Sequence, residues 1–203
     1  MKRRRSLTRR DVATRVADAI LAFVGEVPES SATPSRVPAE AARSVANAAA
    51  AKAAVTAGSL ALPVGPIAWL TILPELIAVW KIQARMVADI AALHGKQASL
   101  TREHMLYCLF KHSAAQAVRD LVARVGERLL VKSASLAAVQ SVARAIGVEI
   151  TQRAIGRGLS RWIPIAGALG VGAYAYYDTA RVATTAIELF AQDVVVEPEA
   201  KQS

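Results

Sequence analysis

Cysteine occurs once, at Cys108, so no intrachain disulfide can form and nothing ties the chain to an oxidising compartment. Aromatic residues make up only 5% of the chain, and none is interleaved with basic residues in the manner of single-strand nucleic-acid binders. Acidic residues number 16 against 25 lysines and arginines. The motifs that announce chemistry are absent too: there is no GxSxG, Walker loop, GxGxxG or zinc-enzyme motif. No pair of carboxylates stands at helical spacing in a patterned cleft. Charge itself is missing from two stretches, Ala53 to Pro74 and Trp162 to Tyr177. The best-marked enzyme classes are therefore without support, and hydrophobic periodicity carries the reading.

Alanine and positive charge dominate instead. The 203 residues are 54% hydrophobic and enough for one domain with a substantial core. Mean hydropathy is +0.32, but alanine supplies much of it, and alanine is a helix former before it is a hydrophobe. Net charge is +9, which directs attention to anionic lipid, nucleic acid or an acidic protein as partner. Most of the basic residues are scattered along helical stretches, among them Arg119, Arg124, Arg128, Lys132, Arg144, Arg153, Arg157 and Arg161, as on a solvated face. Nucleic acid is accordingly not an expected partner.

Six cations stand in the first ten residues: Lys2, Arg3, Arg4, Arg5, Arg9 and Arg10. Asp11, Arg15 and Asp18 interrupt the stretch after them, which excludes the apolar core of a secretory signal. The spacing of Val12, Val16, Ala19, Ile20, Phe23 and Val24 predicts an amphipathic helix capped by Thr8 and ended by Gly25, and the basic run is a candidate contact for anionic lipid. Glu26 to Pro38 is rich in proline and serine and reads as a linker. The expected organisation is a basic arm, helix and linker over 1–37, a helical domain over 38–193, and a frayed tail over 194–203.

Pro38 opens a second helix that is nearly an alanine rod. The charge-free run beyond it is long enough to cross a bilayer, at about 20 residues. Pro63, Gly65 and Pro66 break it, which points to a buried turn between helices or to a hairpin dipping into one leaflet. Pro74 then suits the first turn of a third helix, and Gly95 its left-handed C-cap. On a wheel, Leu76, Val79, Trp80, Ile82, Met86, Val87, Ile90 and Leu93 form an apolar sector beside one of alanines. Lys81, Arg85 and Asp89 form a polar stripe opposite. Such a helix is central in a bundle. Glu75, Gln83 and His94 break its apolar sector. The first and last suit the helix ends. Gln83 requires an interhelical hydrogen bond or a polar pocket, because an unpaired buried polar group costs about 1–3 kcal/mol.

Thr101 caps a further helix with Leu106, Leu109 and Phe110 on one face. His104, Cys108 and His112 share another, read as a polar helix face rather than a metal site, since no ligand of suitable spacing accompanies them. No cofactor is expected. Residues 114–161 read as one or two amphipathic helices, with Val118, Leu121, Val122, Val125, Leu129 and Leu130 as one stripe. A last helix spans about Ala173 to Asp193, with Tyr176, Val182, Ala183, Ala186, Ile187, Leu189 and Phe190 on its apolar face and Asp178, Arg181, Thr185 and Glu188 opposite. The expected fold is all-α: a multi-helix bundle of alanine-rich helices with a proline- and glycine-broken central hairpin.

LPELIAVWKIQARMVADIAALHGK resembles the hallmark segment of the bacterial EcsC family, a leucine-proline-acid start leading into an apolar helix. RWIPIAGALGVGAYAYYDTARVATTAIELF resembles that family's C-terminal hallmark, a proline-X-X-glycine turn into a small-residue helix with a polar residue midway. That residue is Asp178 here, where asparagine is usual, and His94 stands where tyrosine is common. The likeness spans roughly residues 40–193. It implies a helical domain in a membrane setting, linked to ABC-type transport, and no defined reaction.

The sequence supports two readings. One is a non-enzymatic, membrane-associated accessory protein, cytoplasmic and peripheral or half-inserted at the inner membrane, with a membrane protein or an apolar ligand as further partner. The other is a hydrolase or a lipid-binding helical domain whose polar site gathers Glu75, Gln83 and Asp178.

Overall fold

In the computed structural model the described residues are 9–60, 68–125, 128–132, 134–156, 164–192 and 196–197. They form a bundle of seven α-helices with a small sheet at its side. The helices are α1 (Arg9–Val24), α2 (Pro38–Leu60), α3 (Ala68–Leu93), α4 (Arg102–Phe110), α5 (Ala115–Val118), α6 (Leu136–Gly156) and α7 (Pro164–Ala191).

Alanine decides how α2 packs. Ala42, Ala46, Ala50, Ala53 and Ala57 recur every three or four residues and are all buried. With so little side chain on that face, α7 comes close enough for Gly172 to lie against Ala54 and Gly58 of α2. A Cβ on Gly172 would stand 2.9 Å from the Ala54 carbonyl oxygen. Further along, Arg43 and Asn47 face Ala180 to Ile187, so α2 and α7 run antiparallel. The third member, α3, runs parallel to α7: Gln83 meets Asp178, and Lys96 just beyond α3 meets the end of α7.

The end of α3 is a Schellman cap. Gly95 has φ +70°, its N–H donates to Ala92, and that of Lys96 donates to Ala91. Lys96 Nζ then reaches the carbonyls of Phe190 and Gln192, placing a cation on the negative end of α7. Pro74 departs from expectation. It lies inside α3, which begins at Ala68, so the first-turn account of Pro74 and Glu75 does not hold. The residues 61–67, where the central hairpin is expected to turn, lie outside those described.

The helix that is covered on nearly every side is α4. Thr101 and His104 form its capping box, and every residue from Glu103 to Phe110 is buried. The polar face expected for His104 and Cys108 does not exist. Trp80 of α3 meets Phe110 edge-on, centroids 5.3 Å apart.

Two other expectations change. Val122–Val125 (β1) and Arg128–Lys132 (β2) pair antiparallel, and Val196–Glu197 (β3) adds parallel to β2. These strands stand in place of the helical stripe expected through 122–130 and of part of the frayed tail expected over 194–203. The last helix starts earlier than expected, at Pro164, and continues without interruption to Ala191. On it Tyr176 is exposed and Thr185 buried, the reverse of the wheel.

The first helix is not a detached arm. Val16, Ala17 and Ile20 are buried, and Gly147 of α6 touches the backbone of Ala13 and Ala17. The linker is fastened as well. Arg85 donates to the Glu29 carbonyl, Ser30 to Asp89, and the Ser35 N–H to the Leu93 carbonyl. Arg85 and Asp89 of the polar stripe of α3 thus hold residues 29–31, while Gln97 and the Leu93 carbonyl hold Pro28 and Ser35. Residues 9–24 share one core with the bundle.

Candidate functional site

Two of the three polar residues singled out in the sequence meet. Gln83 is fully buried on α3. Its Nε2 donates to Asp178 Oδ2 at 2.9 Å and to Thr179 Oγ1 at 3.1 Å, both on α7. An ionised carboxylate only accepts, so the amide must turn its nitrogen towards Asp178. That leaves Gln83 Oε1 buried with no hydrogen-bond partner among the described residues. Thr179, also fully buried, is the member that sequence reasoning missed; its place beside Asp178 on one helix is the signal that was available. Glu75 lies on α3, but its side chain is outside those described. Of the basic arm, Lys2, Arg3, Arg4 and Arg5 lie outside the described residues, as does the side chain of Arg9, while Arg10 is exposed on α1.

This arrangement is first an interhelical tie. It lies where α3 and α7 run side by side, and it fixes their axial register, because a slip of either helix breaks both bonds at once. A shallow groove of about 220 Å³ runs between α2 and α7, lined by Arg43, Asn47, Ala180, Thr184 and Ile187 among others. Neither Gln83 nor Asp178 lines it. Its size is below the roughly 300 Å³ at which ligand pockets begin.

The three residues of the His/Cys face each have a structural partner or a seal. His104 Nδ1 lies 2.8 Å from Thr101 Oγ1 and accepts from the Thr101 N–H. Its ring stacks on Phe190. With Nδ1 accepting, the ring proton sits on Nε2, which is buried without a partner among the described residues. Burial pulls this imidazole down from 6.5 to about 4, against the opposing pull of the Glu103 carboxylate. Burial also pushes the Cys108 thiol up, against Lys111, which disfavours the thiolate that ligation or attack would need. His112 Nε2 is 2.8 Å from both the Arg181 carbonyl and the Thr185 hydroxyl, joining the end of α4 to α7. Burial lowers its pKa, while the hydrogen bond to Arg181 acts the other way. Among the described residues no group of His, Cys, Asp or Glu is placed to hold a metal ion.

One buried acid was not foreseen. Glu103 accepts from the Ala134 N–H at 3.4 Å and lies 3.6 Å from Arg102, so it ties α4 to the segment leading into α6.

Searches against protein-family models, curated proteins and solved structures found no match.

Proposed function

We propose that this protein is a non-enzymatic accessory or interaction protein that attaches to the cytoplasmic face of the inner membrane as a peripheral body. The likeness of residues 40–193 to the EcsC family supports a bacterial setting linked to ABC-type transport. One observation carries the membrane part: six cations stand within residues 2–10, and the helix they lead into is docked on the bundle rather than detached from it. A cationic arm fixed to a rigid body attracts anionic lipid by about 1 kcal/mol for each residue near the surface. That attraction fades over a Debye length of about 8 Å at physiological salt. The apolar face of α1 is not available to lie in the interface, since Val16 and Ile20 are buried against the bundle. Attachment through this arm is therefore electrostatic. Among the described residues no helix is long and apolar enough to cross a membrane.

The non-enzymatic part is supported by the Gln83–Asp178–Thr179 contact, in which the Gln83 amide nitrogen ties two helices in register.

The test is flotation with vesicles of phosphatidylcholine and phosphatidylglycerol, using the intact chain and a variant with Lys2, Arg3, Arg4, Arg5, Arg9 and Arg10 all changed to Gln. The intact chain should float at low salt, and the substituted chain should bind much more weakly. An intact chain that stays off anionic vesicles at low salt would refute the reading.

A further inference from the structure

The antiparallel pair α2 and α7 has two sides, and they are not treated alike. On the inner side a third helix is seated: Val79 and Ile82 of α3, one turn apart, pack against Ala53, Ala57 and Ala175. The alanines leave the room that those larger side chains fill. On the outer side no helix among the described residues covers the pair, and Arg43, Asn47 and Thr184 are exposed. The two helices touch where Gly172 meets Ala54. Beyond that contact, towards the start of α2, the groove of about 220 Å³ opens between them.

The floor of the groove is apolar. Ala46 and Ala183 are buried and Ile187 is half-buried. An apolar cavity of roughly 150 Å³ holds a benzene ring. The groove is thus large enough for one or two side chains of another helix, as the inner side is for those of α3.

The rim supplies the polar part. Thr184 turns its hydroxyl to the Ala180 carbonyl. Arg43 and Asn47 make no hydrogen bond or ion pair among the described residues. They stand four residues apart and so share one face of α2. A guanidinium only donates, and a carboxamide brings two further N–H donors. Two neighbouring unengaged donor groups above an apolar floor match a carboxylate carried beside an apolar side chain. The chain's own nearby acids do not take that place. Glu40, one turn before Arg43, makes no ion pair with it, and Glu188 lies 3.6 Å from Lys111. Neither acid lines the groove. Along α2 the exposed positions from Ser44 to Ala51 are Ser44, Asn47, Ala48 and Ala51, none of them charged. The solvent face of a surface helix ordinarily carries charge.

We propose that the α2–α7 groove is the docking site for an acidic amphipathic helix of a partner protein. Two of its apolar side chains, one turn apart, enter over Ala46, Ala183 and Ile187, and its carboxylate is held by Arg43 and Asn47. The net charge of +9 favours an acidic partner over a second copy of this chain. This gives the interaction reading a surface and does not depend on membrane attachment.

The experiment titrates the full chain, in the absence of lipid, with a helical peptide of alanine and glutamine that carries two leucines one turn apart, flanked by glutamates. The control peptide has lysine in place of each glutamate. Methyl signals of Ala46, Ala183 and Ile187 report occupancy by NMR. The glutamate peptide should shift them and the lysine peptide should not. Arg43→Glu replaces attraction by repulsion. It should weaken the glutamate peptide about fivefold or more and make the lysine peptide the tighter of the two. Arg43 is exposed and unpaired, so thermal unfolding of this variant should match that of the intact chain. Ala180→Leu fills the groove and should remove the response to the glutamate peptide. If neither peptide moves these methyls, or if Arg43→Glu leaves the preference between the peptides unchanged, the proposal is overturned. If the methyls shift with protein concentration alone, a second copy fills the groove and the proposal is overturned as well. No lipid is present, so failure here leaves the membrane reading standing, and failure of vesicle flotation leaves this site standing.

Discussion

Gln83 shows how a polar residue on an apolar helix face acts in this bundle. Its two donor hydrogens are used across the α3–α7 contact, and its oxygen is buried without a partner among the described residues. A net hydrogen bond contributes about 0.5–1.5 kcal/mol, and a stranded buried polar atom costs about 1–3 kcal/mol. These terms are of opposite sign in one side chain. Gln83→Leu removes both, and its size is close enough to fill the site; Asp178, half-buried, can turn to water. We expect a change in unfolding free energy within about 1 kcal/mol. Gln83→Ala also opens a cavity and should cost about 1–3 kcal/mol more. Equal midpoints for the two variants in urea would show that the tie is not where the energy lies. His104 gives a second test through pH. Its folded pKa, about 4, lies below the ordinary 6.5, so the unfolded chain takes up a proton before the folded one does. The stability that a neutral His104 contributes is complete above about pH 6.5 and declines as pH falls towards 4, by about 1.4 kcal/mol per unit and about 3 kcal/mol in all. His112, also lowered by burial, adds in the same direction. His104→Gln should flatten the urea-derived profile across that window; a slope identical to wild type would show that His104 does not remain neutral in the fold.

At the scale of elements, glycine separates two kinds of contact. Gly147 on α6 faces the backbone of α1: a Cβ there would stand 2.6 Å from the Ala13 carbonyl oxygen. Nothing lies within 4 Å of the Cβ position of Gly170 on α7. We expect Gly147→Ala to force α1 and α6 apart and cost about 1–3 kcal/mol. Gly170→Ala should stabilise by up to about 1 kcal/mol through helix propensity. Thermal unfolding of the pair decides this, and a stabilising Gly147→Ala would mean that the two helices are not in contact. The same elements show how far the sequence could be read. The α3 pattern, its glycine cap and the Thr101 cap were legible because each is a local signal. The strands β1 and β2 were not. Val118, Leu121, Val122, Val125, Leu129 and Leu130 satisfy a helical wheel, and nothing in that pattern weighs Gly126 and Glu127 as a two-residue spacer between two short runs of valine and leucine, which is a hairpin signal. The burial of α4 was illegible for a different reason. His104 and Cys108 are sealed by Phe190 and by neighbouring helices distant in sequence, and a wheel contains no information on how many sides of a helix are covered. Of the candidate site, Gln83 was marked by its periodicity, whereas the approach of Asp178 depends on how α3 and α7 lie side by side, which neither helix pattern contains. Thr179 carried no mark of its own.

For the whole molecule the question is whether α1 is an appendage or part of the body, and the answer changes how membrane attachment must be measured. Val16 and Ile20 of α1 stand in the same core as Val139, Ala143 and Ile146 of α6. The linker after α1 is pinned by Arg85, Asp89 and Gln97. Removing residues 1–25 therefore does more than delete positive charge: it uncovers the inner face of α6 and the surface beneath Ile20. Each large side chain uncovered forfeits about 1.5–3 kcal/mol, a large fraction of the roughly 5–15 kcal/mol that holds an ordinary domain. We expect the truncated chain to unfold at a clearly lower urea midpoint, to bind a hydrophobic dye in the absence of denaturant, and to associate with vesicles of any charge through its exposed core. The six-fold Gln substitution should leave the unfolding midpoint close to that of the intact chain while abolishing salt-sensitive binding. A truncated chain with an unchanged midpoint and no dye binding would show that α1 contributes no packing energy, and would return it to the role of an independent arm.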